Sequence, residues 1–92
     1  MSDSKKFKMK KGKIMIVTME DGLSISFYYD NGEAWFTFCN SAGIHSNEVD
    51  ESSIQAVIGE PLSLSYYYGY GSSEKIKTET KIKSIEYKDD ND

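Results

Sequence analysis

The chain has no arginine, and only one cysteine, one proline, one histidine and one tryptophan among its 92 residues. Each shortage closes a class of function. All eleven basic residues are lysine, so base-specific nucleic-acid recognition lacks the side chain that makes bidentate contacts to phosphate and guanine. Cys39 has no second cysteine to pair with, so no oxidising compartment is implied. It also lacks the spaced partners of a zinc site. His45 stands alone beside Ser46 and Asn47 and reads as a polar loop residue. A Cys39–His45 nucleophilic pair would have no oxyanion-hole motif to serve it. Glu48, Asp50 and Glu51 do not have the spacing of a calcium loop. Gly69-Tyr70-Gly71 is followed by neither a helix nor a Lys-Ser/Thr pair, so it is not a phosphate loop. No run approaches the roughly 20 apolar residues that span a bilayer, and no signal-peptide core follows the early lysines. The expectation is a cytoplasmic protein that is not an enzyme and uses no metal, no cofactor and no membrane.

What is present is apolar and aromatic. The hydrophobic share is 38%, with seven tyrosines and four phenylalanines, too much for a disordered chain and enough for one modest core. Charge is unevenly spread. Residues 1–13 hold six Lys and one Asp (+5), residues 14–73 eight carboxylates and no Lys (−8), and residues 74–92 five Lys and six carboxylates (−1). The expected organisation is a basic arm at 1–11, a single β-barrel domain at 12–88 and an acidic tail at 89–92. The preference for Lys, Ile, Tyr, Asn and Ser over Arg, Pro and Ala suggests an AT-rich coding genome, such as a low-GC bacterium or its phage.

Lys13 to Met19 reads as a first strand, and Glu20-Asp21-Gly22 as a turn. Leu23, Ile25, Phe27 and Tyr29 alternate against Ser24, Ser26 and Tyr28. After Asn31-Gly32, the strongest short hairpin signal, Ala34, Phe36 and Phe38 alternate against Trp35, Thr37 and Cys39. With Asn31-Gly32 as the loop, Tyr28 falls opposite Trp35, Phe27 opposite Phe36 and Ile25 opposite Phe38. A one-residue slip would destroy that match. It also sets two carboxylates, Asp30 and Glu33, against each other.

Asn40 to Ser46 reads as a loop. Ser46 or Asn47 then caps a short helix, with carboxylates in its first turn, Ile54, Val57 and Ile58 as its apolar stripe and Gly59 as its C-terminal stop. A loop followed by a strand at 54–58 is the alternative. Leu62, Leu64, Tyr66, Tyr68 and Tyr70 share one face of a further strand. Glu74 to Tyr87 is the last, with a phase break near Lys83-Ser84 that calls for a bulge or sharp bend.

The order strand, strand, strand, short helix, strand, strand resembles the OB-fold, a five-strand Greek-key barrel with a helix between strands three and four. Ile54-Gln-Ala-Val-Ile-Gly59-Glu-Pro-Leu62-Ser-Leu64-Ser-Tyr66 resembles the helix–Gly–strand junction of small OB-like barrels. The fold expectation is mainly β, a five-strand OB-like barrel; an SH3-like barrel, or an antiparallel sheet with one packed helix, is the alternative. The resemblance implies a ligand surface on the outer face of strands two and three, which puts Tyr28, Trp35 and Thr37 outward. Tyr67 and Tyr70, beside flexible glycines, are the other expected contacts, while Tyr66 and Tyr68 close the barrel rim. Two partners fit such residues. One is another protein, bound by an acidic aromatic surface as an inhibitor or accessory factor of a phage or mobile element. The other is single-stranded nucleic acid stacked on Tyr28 and Trp35, which the −8 central segment opposes.

Overall fold

The computed structural model describes residues 5–69 and 71–90. Its elements are β1 (Lys13–Met19), β2 (Ser24–Asp30), β3 (Glu33–Asn40), β4 (Gly43–Val49), a single 3-10 turn at Glu51–Ser53, β5 (Pro61–Tyr67) and β6 (Ser73–Asp89). Each strand is antiparallel to the next, and β6 returns to β1, so the sheet closes into a barrel. A mainly β barrel is expected and is found; that it closes is a finding of the structure. It has six strands in place of five, and they pair in chain order without the Greek-key crossing that the resemblance implies. A small closed antiparallel barrel is compatible with an OB-like architecture at that coarse level.

The β2–β3 hairpin matches the expected register at every pair, from Asp30 opposite Glu33 to Ile25 opposite Phe38. Asn31 and Gly32 have φ of 55° and 80°, the left-handed pair that a type I′ turn demands and that suits the right-handed twist of the flanking strands. Inward residues of both strands bury Phe27 against Phe36, ring centroids 6.2 Å apart.

The expected helix over residues 47–58 is absent, and the loop expected at 40–46 is mostly strand. Asn40 pairs with Gly43 across a two-residue turn, and β4 then follows β3 through to Glu48 opposite Trp35. Asp50 caps only the 3-10 turn, accepting from Ser52 N–H at 3.1 Å. Beyond it the buried residues are Ile54 and Ala56, while Ile58 is exposed. That period of two belongs to extended chain, not to a helix. Gln55 bridges Ser63 on β5, so this segment lies beside β5 where β4 has left it.

The long β6 serves two neighbours. Its first half, Ser73–Lys81, pairs with β5, and its second half, Ile82–Asp89, with β1. Thr18 faces Ser84 but Met19 faces Ile82, so Lys83 is the extra residue of a bulge. This is the phase break visible in the sequence. A second irregularity lies between Lys77 and Lys81. There Thr78 Oγ1 accepts from Leu62 N–H and donates to the Thr80 carbonyl, both at 2.9 Å. The hydroxyl satisfies two backbone groups that the broken ladder leaves over.

The core gathers Met15, Val17, Met19, Ile25, Phe27, Phe36, Leu62, Leu64 and Ile82, and no polar or charged residue among those described is buried. Residues 5–11 lie along the barrel. Phe7 N–H donates to the Ala56 carbonyl at 2.8 Å, Met9 is buried, and the Lys8 carbonyl accepts from the Tyr87 hydroxyl at 2.6 Å. The apolar residues of this lysine-rich lead-in face the barrel, while Lys8, Lys10 and Lys11 stay exposed. Among the described residues no helix is long and apolar enough to cross a membrane.

Candidate functional site

Antiparallel pairing carries one row of outward side chains across four strands. Tyr28 on β2 is opposite Trp35 on β3, Trp35 is opposite Glu48 on β4, and Glu48 is opposite Tyr67 on β5. Three of the expected contact residues, Tyr28, Trp35 and Tyr67, therefore stand in line. The fourth, Thr37, lies in the next row, between Ser26 and Ser46. Tyr70 lies outside the described residues.

The two rows are joined by a triangle of hydroxyls. Tyr28 Oη is 3.0 Å from Thr37 Oγ1 and 3.1 Å from Ser46 Oγ, and the last two are 2.9 Å apart. Three hydroxyl protons suffice for three bonds, so a ring of donation satisfies every donor internally. What the triangle then offers outward is lone pairs. Glu48 adds a carboxylate to the same face. Trp35 is half-buried, and its indole Nε1–H is shielded from solvent with no acceptor in reach among the described residues. Buried indole N–H groups normally find one, so this donor is a conspicuous exception. Beyond Glu48 the row ends at a cleft of about 310 Å³ lined by Glu48, Tyr67, Gly69 and Gly71.

A larger cleft of about 570 Å³ lies elsewhere, between residues 6–9 and the 3-10 turn. It is lined by Lys6 and Lys8 against Asp50 and Glu51, and none of the expected contact residues among those described reaches it. Nearby, the Tyr29 hydroxyl donates to Glu51 Oε2 at 2.5 Å. Burial, and then the Glu51 carboxylate, push the Tyr29 phenol up to about 12.

The tyrosine run divides differently from its expected pattern. Tyr66 turns inward, its ring 5.8 Å from that of Phe36. Tyr68, expected at a closed rim, is 57% exposed, against 37% for Tyr67. His45 is not in a loop. It sits on β4 and stacks on Phe38 with centroids 5.0 Å apart, its Nε2 3.1 Å from Asn40 Oδ1. Cys39 is opposite Ile44 while His45 is opposite Phe38, so the sheet's alternation sends Cys39 and His45 to opposite faces. They form no nucleophilic pair.

Ser46 and Glu48 are the site residues that sequence reasoning missed, having been assigned to a helix cap. The available signal was the alternation of Ile44, Ser46 and Glu48 against His45, Asn47 and Val49. It is faint because only Val49 of the inward set is a large aliphatic. Comparison of the chain with protein-family models, with curated proteins and with solved structures finds no match.

Proposed function

We propose that this protein is a non-catalytic protein-binding module, an inhibitor or accessory factor, whose contact face is the outer wall of β2, β3 and β4 with Tyr67 at its edge. The observation that carries this reading is the Tyr28–Trp35–Glu48–Tyr67 row, set in a stretch with eight carboxylates and no lysine from residue 14 to residue 73. Aromatic side chains supply the large, low-entropy contacts of interface centres. The hydroxyl triangle and Glu48 present acceptors, so the complementary partner is basic and rich in donors. Such a face can occupy a nucleic-acid-binding surface by offering oxygen acceptors where phosphates would lie. The test is affinity capture with the wild-type chain beside Trp35→Ala and Glu48→Lys. A partner held by the wild type and lost by both variants supports the face. A partner held equally by all three moves the interface elsewhere.

A second reading, single-stranded nucleic-acid binding, draws on β6. Lys75, Lys77 and Lys81 are exposed opposite Ser65, Ser63 and Pro61, with the Glu79 carboxylate exposed between the last two lysines. The anisotropy of a labelled oligonucleotide, which reports binding at any face of the barrel, separates the two. A rise that weakens with added salt favours nucleic acid; an unchanged signal at low salt leaves the protein partner in front.

A further inference from the structure

The barrel has one poorly sealed seam. β4 and β5 share only two pairs, Glu48 with Tyr67 and Val49 with Tyr66. Above them β5 turns away, and Tyr68 N–H bonds to the Ser72 carbonyl at 3.1 Å within its own hairpin. The alternation of an antiparallel ladder then decides which groups are left over. Across the two-residue turn, Gly43, His45 and Asn47 direct their backbone groups to β3. Those of Ile44 and Ser46 point to the β5 side. Among the described residues neither finds a backbone partner there.

Unpaired strand edges in monomers are normally blunted by lysine, proline, a bulge or a covering loop. Gly43–Asn47 has none of the first three. Of its two outward residues, Ile44 is 76% exposed, the most exposed large hydrophobic residue of the described chain. No carboxylate or lysine lies between Gly43 and Asn47, so two such edges can meet without opposing like charges.

We propose that the Gly43–Asn47 edge pairs antiparallel with the same edge of a second copy, about a two-fold axis at His45. In that register Ile44 of one copy is opposite Ser46 of the other, twice over. The N–H and carbonyl groups of both residues are then all used, in four backbone hydrogen bonds. Gly43 is opposite the other copy's Asn47. The slot also has the right length: the Ser41-Ala42 turn of one copy ends beside Glu48 of the other, where Tyr67 of that other copy already fills the edge. A longer foreign strand would run into Tyr67. The self-pairing is isologous and closes as a dimer. It would place the two copies' rows of Tyr28, Trp35 and Glu48 on one continuous sheet.

The test is sedimentation velocity of the full chain over a range of concentrations. The wild type is expected to move from 10.4 kDa toward twice that mass. Ile44→Lys, at a site too exposed to disturb folding, is expected to stay monomeric. Ser46→Pro removes an edge N–H that β3 does not use and should do the same; its far-ultraviolet circular dichroism shows whether the barrel is intact. His45→Cys in a Cys39→Ser background is expected to give a disulfide-linked dimer on mild oxidation. A wild type that stays at 10.4 kDa throughout overturns the proposal. So does a dimer that survives Ile44→Lys.

Discussion

The β2–β3 ladder and the β4–β5 seam are built from strands of nearly equal length, yet the first holds six backbone pairs and the second two. The difference lies in what each strand can bury. In the hairpin, Ile25 and Phe27 meet Phe38 and Phe36, so one register satisfies the core and every other forfeits it. In β4, only Val49 is buried, and its pairing with the inward Tyr66 is the single apolar pair by which β4 meets β5. That seam is completed instead by side chains. Ser53 Oγ accepts from Ser65 N–H at 2.7 Å and donates to the Asp50 carbonyl at 2.6 Å, and Asn47 Nδ2 donates to the Tyr67 carbonyl at 3.2 Å. A ladder locked by packing should fail globally when damaged; a seam held by polar bridges should fail locally.

Phe27→Ala is the largest test of the first half of that statement. Phe27 is fully buried and touches the aromatic cluster through Phe36. Its truncation is expected to cost about 3–5 kcal/mol, a large part of the roughly 5–15 kcal/mol that holds a domain together. Urea unfolding should show one cooperative transition at a much lower midpoint. Ser53→Ala tests the second half. It leaves the Ser65 N–H without its acceptor, at a cost of about 1–3 kcal/mol. Amide exchange should accelerate at Ser65 while that of Phe27 changes little, because the seam opens without the hairpin. Equal acceleration at both would erase the distinction between the regions.

The same contrast explains what could be read from residues alone. The hairpin was legible to the residue because an Asn-Gly turn and a two-phase apolar pattern are independent signals that agree. The Lys83 bulge was legible because Ile82 and Ile85 cannot share a face without an extra residue. β4 was not legible. Ser46, Asn47 and Glu48 have the chemistry of a helix cap, and only the position of β3 beside them makes them strand. The stripe at Ile54, Val57 and Ile58 fits a helix as well as it fits chance; burial of Ile54 and Ala56 reveals the extended spacing. Of the candidate site, Tyr28, Trp35 and Thr37 came from the hairpin register. Ser46 and Glu48 required β4, and the alignment of Tyr67 with them required the seam.

The barrel end near the seam has its own titration. Tyr29 is raised to about 12 by burial and by the Glu51 carboxylate that accepts a hydrogen bond from its hydroxyl. A phenol raised in the folded state favours folding below its unfolded value of about 10, and that contribution is lost as pH climbs from about 10 toward 12. Tyr29→Phe should therefore show a shallower alkaline loss of stability than the wild type over that window. Glu51→Gln should move the tyrosinate absorbance of Tyr29 back toward 10. A wild-type Tyr29 that already titrates near 10 would mean that neither its burial nor the Glu51 contact persists in solution.

The smallest effect comes from the one place where the hairpin works against itself. Asp30 is opposite Glu33 at the mouth of the type I′ turn, and both are exposed. Like charges directly opposite on a ladder are destabilising, and replacing one by its opposite is worth about 0.2–1 kcal/mol. Glu33→Lys is therefore expected to raise the urea midpoint slightly, with an unchanged slope, and the gain should shrink as salt screens the new pair. The corresponding change beside the seam, Glu48→Lys, has no such gain to make: Glu48 is opposite Trp35 and Tyr67, not a like charge. If both substitutions stabilise equally, the benefit comes from lowering the net negative charge of the chain, and local register has no part in it. If only Glu33→Lys does, the pairing of Asp30 with Glu33 is a feature of the protein in solution, and the tolerance of that repulsion measures how firmly the aromatic pairs above it hold the hairpin in place.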